Sequence, residues 1–283
     1  MKIAVITGGN GMLAQALKVH LHEAGYQIAS LDRDALDIRS SSAIEAVFKG
    51  LYPVSIVFNC AAMTNVDACE TAIDEAYAIN AKGPGYLAQL CSLMGVPFVH
   101  FSTDYIFDGK GEMPYTEDDV PHPLNVYGKS KLAGEEAVLS SGCDAYIFRL
   151  QWLYGAHGTH FVGTMSDRLR LGRPLRVVDD QWGSPSWTLD IAKSMLFAIE
   201  KKLPYGIYHL ANQGYTSWFG FTQQIREVLG LETPILPVSS IEFPRPAPRP
   251  LNSRLSMAKL VKACPDALPM AWENALDLFL SLQ

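Results

Sequence analysis

The sequence predicts an α/β fold: a doubly wound parallel sheet with a second, smaller half behind it. Three observations carry that prediction. The first half alternates short apolar runs with longer stretches of helical spacing, which is the pattern of a parallel sheet covered on both faces. A glycine-rich turn follows the first apolar run directly. Beyond residue 150 the alternation loosens into separate helical patterns and short strands. The expected division is therefore a Rossmann-type dinucleotide-binding domain over 1–150. A mainly substrate-binding domain follows over 151–283, with the chain crossing back to the first half.

Taken in order, "KIAVIT" (2–7), "QIASLD" (27–32), "SIVFNCA" (55–61), "PFVHFST" (97–103) and "AYIFRL" (145–150) read as buried strands. Between them, residues 12–25, 41–51, 74–95 and 125–142 have helical spacing, and Gly25, Gly95 and Gly142 stand where helices should stop. In the second half, helices are expected over 161–171, 188–201, 217–229 and 271–282, with strands "LRVV" (175–178) and "GIYHLA" (206–211). The proline-rich "FPRPAPRP" (243–250) reads as an extended loop.

With 48% hydrophobic and 18% charged residues over 283 positions, the chain can bury a large core and gives no sign of disorder. A net charge of −6 argues against nucleic acid, which would repel an acidic surface. No apolar run approaches the roughly 20 residues of a membrane span, and the opening "MKIAVITGG" is too short for a signal segment. Five scattered cysteines without metal-ligand spacing favour reduced thiols and a cytoplasmic protein.

Gly8, Gly11 and Ala14 have the G-x-x-G-x-x-A spacing. Gly8 makes the turn off the strand, Gly11 lets the backbone approach a pyrophosphate, and Ala14 lets the first helix lie close to the sheet. The helix N-terminus then faces the phosphates. Asp32 ends the second strand, where a carboxylate would accept from ribose hydroxyls and suit NADH. Arg33 follows and would meet the 2′-phosphate of NADPH. The two signals conflict, and either cofactor is admitted. In "VYGKSKLAGEEAV" (126–138), Tyr127 and Lys131 lie one helical turn apart. Such a spacing makes either a catalytic proton donor with its cation or an ordinary surface pair, and the motif alone does not choose.

The glycine turn, "STDYIFDG" (102–109) and "YGKSK" (127–131) together resemble the extended short-chain dehydrogenase/reductases, in particular the dTDP-4-dehydrorhamnose reductase family. Further matching blocks span nearly the whole chain, among them "NCAAMTNVDACE" (59–70), "WLYG" (152–155), "VVDDQWGSP" (177–185) and "RPLNSRLS" (249–256). The resemblance implies hydride transfer from reduced nicotinamide, NADPH or NADH, to C4 of a nucleotide-linked 4-keto-6-deoxy sugar. Tyr127 would be the proton donor. Lys131 would hold the nicotinamide ribose and lower the tyrosine's pKa, and Thr103 would bond the substrate oxygen.

Other cofactor positions implied by the resemblance are Asn10, Met12, Leu13, Asp37, Ile38, Cys60, Ala61, Ala62, Met63, Asn80 and Ser102. Cys60 reads as a packed small residue rather than a nucleophile. Thr64, Asp104 and Trp152 match substrate contacts. Arg249 would pair with the sugar nucleotide's diphosphate, or be a solvated loop arginine. Some members of the family bridge a dimer through Mg²⁺ with an acid on the first helix. Here that stretch is Ala14-Gln15-Ala16, so no metal is expected, while a homodimer is admitted.

The chain also departs from the family pattern. Arg149-Leu150-Gln151-Trp152 replaces the usual R-T-S-W, and Met63 stands where an aromatic residue or histidine is usual. His160 takes the place of an asparagine, and Trp182 and Trp187 add bulk. All of these are expected near the sugar pocket, where lost hydroxyls would alter substrate choice. Two further functions share the fold: an epimerase or dehydratase of a sugar nucleotide, and a non-catalytic regulatory subunit resembling the β subunit of methionine adenosyltransferase. The complete Thr103, Tyr127 and Lys131 set counts against the latter.

Overall fold

Successive strand residues point to opposite faces of a sheet, so the apolar runs of the first half must feed two cores. In the computed structural model, which describes residues 2–51 and 53–283, they do. Ala4 and Ile6 enter one core with Phe58, while Val5 and Val57 enter the other with Phe98.

The first half runs β1 (Lys2–Thr7), α1 (Met12–Glu23), β2 (Tyr26–Leu31), α2 (Ser41–Lys49), β3 (Ile56–Asn59), α3 (Val66–Cys69), α4 (Ile73–Tyr77), α5 (Gly83–Met94), β4 (Phe98–Thr103), α6 (Val126–Ser140) and β5 (Ala145–Leu150). The remainder runs β6 (Leu153–Tyr154), α7 (Phe161–Arg170), β7 (Leu175–Val178), β8 (Trp182–Gly183), β9 (Ser186–Trp187), α8 (Thr188–Glu200), β10 (Gly206–His209), β11 (Thr216–Ser217), α9 (Trp218–Val228), β12 (Ile235–Val238), α10 (Ala258–Ala263) and α11 (Trp272–Ser281).

The main sheet has the order β10-β5-β4-β3-β1-β2, and all its pairings are parallel. The chain passes from β1 outward to β2, then returns to place β3 on the other side of β1. That reversal opens a crevice beyond the carboxyl ends of β1 and β3, where ligands of such sheets bind. Residues after 150 also serve this sheet. β10 pairs with β5, and Ile191 and Met195 of α8 pack with Leu13 and Leu17 of α1. The other late helices form their own core, with Val162 of α7, Phe221 of α9 and Phe279 of α11 around Tyr154 and Trp272.

Gly25, Gly95 and Gly142 all have positive φ at helix ends, as their spacing predicts. The helix expected over 74–95 is interrupted by a π-turn at Ala78–Lys82. Two residues account for it. Pro84 has no N–H to offer the carbonyl of Asn80, four residues back. Gly134 of α6 presses on that same carbonyl, so closely that a Cβ there would lie 2.1 Å from it. The short helices α3 and α10 lie outside the sequence expectations, because four to six residues are too few to display a period. No helix among the described residues is long and apolar enough to cross a membrane.

Candidate active site

The crevice holds two adjoining cavities that share Gly11, Cys60 and Ala62. The first, of about 530 Å³, is lined by the glycine turn, the loop after β2 and the loop after β3. Gly8 has φ +63°, and a Cβ on it would sit 2.6 Å from the Ala61 amide nitrogen. Only glycine allows the two loops to lie this close. Gly11 caps α1 with extended backbone, and the helix start has neither a side-chain cap nor an acid in its first turn. Its first amides are therefore left to an anion. Buried Ala14 meets the expected close packing of α1 on the sheet.

Asp32 and Arg33 both line this cavity. The Asp32 carboxylate, however, accepts from the amides of Asp34 and Ala35 and from Asn10 Nδ2, at 3.0–3.1 Å. These bonds, led by the one from Ala35, hold its pKa below the usual carboxylate value. Ile38 and Asp37 are lining residues as expected, and the bidentate Arg39 guanidinium pulls Asp37 down to about 2. Arg33 and Arg39 both approach Glu75, at 3.6 and 3.7 Å. Arg39 and Glu75 are lining residues that the sequence reading missed, since they come from two separate segments and form no motif.

Cys60, Ala61, Ala62 and Met63 follow β3 and form one wall. Burial raises the Cys60 thiol's pKa, so it stays protonated and serves as packing. Asn80 lines neither cavity. From the π-turn it accepts from the Met63 amide at 2.8 Å and donates to the Met63 carbonyl at 3.0 Å, so it acts by holding that wall.

The second cavity, of about 470 Å³, gathers Met12, Leu13, Thr64, Ser102, Thr103, Asp104, Tyr127, Lys131 and Trp152, all of them expected site residues. Tyr127 and Lys131 sit on α6, whose Asn125 cap accepts from the Gly128 amide at 2.8 Å. Gly128 lets the helix approach the Tyr105 carbonyl, which a Cβ would meet at 2.1 Å. Lys131 is buried and donates to the Phe101 carbonyl. Burial pushes its pKa down to about 8, against the opposing pull of Glu135.

The expected lowering of Tyr127 by Lys131 is not what this arrangement produces. Burial raises the Tyr127 pKa, and the Thr103 hydroxyl, not the lysine, draws it back. Thr103 in turn donates to Asp104 Oδ1 at 2.9 Å. Burial raises Asp104 to about 7, moderated by the hydroxyls of Ser253 and Thr103.

Two residues that line this cavity carry a buried polar atom without a hydrogen-bond partner among the described residues: Ser102 Oγ and Gln151 Nε2. Such groups are rare in folded proteins, because an unpaired buried donor or acceptor costs about 1–3 kcal/mol. Together with the glycine turn and the open α1 N-terminus, they fit a dinucleotide and a polar substrate. Trp152 has φ +46° and stacks on Trp218 at 3.5 Å between ring centroids, giving a flat aromatic wall. Gly183 makes room for it, since a Cβ there would come within 2.6 Å of the Trp152 ring. Trp218 is a further lining residue missed in sequence, being brought here by the start of α9.

Four expected placements need correction. Arg249 lines neither cavity; its guanidinium donates to Asp67 Oδ1 and to the Ala247 carbonyl, tying the proline-rich loop to α3. His160 is the cap of α7, with Nδ1 accepting from the Gly163 amide at 3.2 Å, a role asparagine also fills. Trp187 is buried in the core of the second half. Trp182 is 45% exposed and is bridged to Asn252. Of the departures, only Met63, Leu150 and Gln151 reach the cavities.

Comparison with known proteins gives the chain's family. Residues 1–282 match the family model described as the RmlD substrate binding domain. Over 99% of this chain and 97% of the relative, it is 40% identical to the spore coat polysaccharide biosynthesis protein SpsK of Bacillus subtilis. It is 39% identical to dTDP-4-dehydrorhamnose reductase of Streptomyces griseus, over 90% of this chain and 86% of that one. The crystal structure of dTDP-4-dehydrorhamnose reductase from Bacillus anthracis in complex with NADP superposes with a TM-score of 0.95, at 36% identity and full coverage of both chains. The fold, the glycine turn and the Thr103, Tyr127 and Lys131 cavity thus sit in a chain that belongs to the RmlD substrate-binding-domain family, alongside the dTDP-4-dehydrorhamnose reductases.

Proposed function

We propose that this protein is an NAD(P)H-dependent oxidoreductase that reduces the C4 keto group of dTDP-4-dehydro-L-rhamnose to give dTDP-L-rhamnose. The observation that carries the reading is the convergence of Thr103, Tyr127 and Lys131 on one cavity that joins the dinucleotide crevice at Gly11. Relatives that share most of their length with this chain are reductases of that keto sugar, and one of them is solved with NADP.

The reduced nicotinamide supplies a hydride. The glycine turn and the start of α1 would receive the pyrophosphate, and Lys131, anchored on the Phe101 carbonyl, would hold the nicotinamide ribose. Thr103 and Tyr127 hold the substrate's C4 oxygen. Because burial keeps the Tyr127 phenol protonated, it donates its proton as negative charge develops on that oxygen. Trp152 and Trp218 form the apolar wall of the sugar pocket.

The test is a spectrophotometric assay with dTDP-4-dehydro-L-rhamnose and NADPH, then NADH, with Tyr127→Phe alongside. Oxidation of the nicotinamide that falls by about 10²–10⁴ in the variant, with cofactor binding unchanged, is the expected result. Absence of turnover in the unaltered enzyme with cofactor bound would overturn the reading.

A further inference from the structure

Gln151 is 2% exposed and lines the sugar cavity between Leu150 and Trp152. One end of its carboxamide is committed: Oε1 accepts from the amide of Ser184 at 3.0 Å. A backbone N–H requires an acceptor, so that bond settles which end of the amide is oxygen and which is nitrogen. Ser184 is itself fully buried, and its hydroxyl donates to the Asn212 carbonyl at 2.5 Å. The amide is thus clamped from behind. Nε2, with two N–H groups, has no partner among the described residues. An amide nitrogen held in this way is a donor prepared for a ligand.

The same cavity contains Thr103 and Tyr127, which on the reading proposed above bind the C4 oxygen that takes up the proton. A donor elsewhere on its wall therefore meets a different oxygen of the substrate. Resting on the reductase function proposed above, we propose that Gln151 is a specificity-determining residue whose Nε2 donates a hydrogen bond to a hexose hydroxyl oxygen other than that at C4. A site built this way rejects a sugar lacking the recognised hydroxyl, because its absence leaves the buried amide unpaired.

The experiment is a cycle between protein and ligand, read by calorimetric binding and independent of turnover. Affinities of dTDP, dTDP-L-rhamnose and its 2-deoxy and 3-deoxy forms are measured for the unaltered protein and for Gln151→Met. Loss of the Ser184 contact weakens all sugars equally and cancels in the cycle. Gln151→Ser is the second variant, should the methionine disturb folding. Expected is a loss of about tenfold for one deoxy form in the unaltered protein, absent in both variants. Equal discrimination in the variants, or none in the unaltered protein, would overturn the role of Gln151. If dTDP-L-rhamnose bound no better than dTDP to the unaltered protein, the reductase function itself would fall, and this assignment with it.

Discussion

The Asn80 carboxamide holds Met63 at both ends of its backbone, accepting from the amide and donating to the carbonyl. A third bond, from Nδ2 to Ser130 Oγ at 3.0 Å, links it to the helix that carries Tyr127. One buried side chain in a π-turn thus ties the Met63 wall of the first cavity to the helix of Tyr127. π-Turns are frequent at functional sites. In Asn80→Ala the Met63 amide and carbonyl lose their partners, at a cost of about 1–3 kcal/mol. Urea denaturation should show that loss, and NADPH titration should show weakened binding although Asn80 lines neither cavity.

Gly8→Ala tests the close approach of the two cofactor loops. The added methyl would lie 2.6 Å from the Ala61 amide, at a backbone φ of +63° that side chains rarely adopt. Strain of about 1–3 kcal/mol is expected. It should be visible as a lower denaturation midpoint together with a loss of NADPH affinity. Unchanged stability would mean that the loops separate freely.

The preference between NADPH and NADH turns on the far end of the first cavity. The Asp32 carboxylate is already engaged by Asn10 and by its own turn, while Arg33 is largely exposed and only loosely paired with Glu75. Arg33→Ala should weaken NADPH severalfold and leave NADH almost unchanged, as befits an exposed charge pair worth up to about 1 kcal/mol. The difference should shrink at high salt. Fluorescence titration of both cofactors at two ionic strengths checks it.

Asp104 gives the pH prediction. Its carboxyl is raised by burial from 3.8 to about 7, so between those pH values the folded protein retains a proton that the unfolded chain has released. Stability therefore falls as pH rises from about 4 to 7, then levels off. Asp104→Asn lacks that slope. The Tm difference between variant and parent should be near its minimum at pH 4 and grow in the variant's favour to a plateau above pH 7. A constant difference across that range would contradict the burial of Asp104.

Much of the fold was legible because burial on a parallel sheet imposes continuous apolar runs, and the helices between them impose a period. The glycine turn was legible for a similar reason, since Gly8 is required by its own φ and by one nearby strand end. The helix break at 78–82 was less so. Pro84 shows that a bond is missing, but only Gly134, fifty residues away, decides that the helix bulges there.

By itself the sequence determined the α/β winding, the glycine turn and the order of Thr103, Tyr127 and Lys131 along the chain. Those follow from local backbone preference, and the motifs keep the residues in readable spacing. The tertiary structure decided which of the unusual residues matter. It placed Met63, Leu150 and Gln151 on the cavities, gave His160 to a helix cap, tied Arg249 to Asp67 and brought Trp218 against Trp152. It also reversed the expected effect on Tyr127, whose pKa is set by burial and by Thr103. Spacing in sequence can put a cation one turn from a phenol. How deeply the phenol is buried, and where the ammonium points, depend on segments far away in the chain.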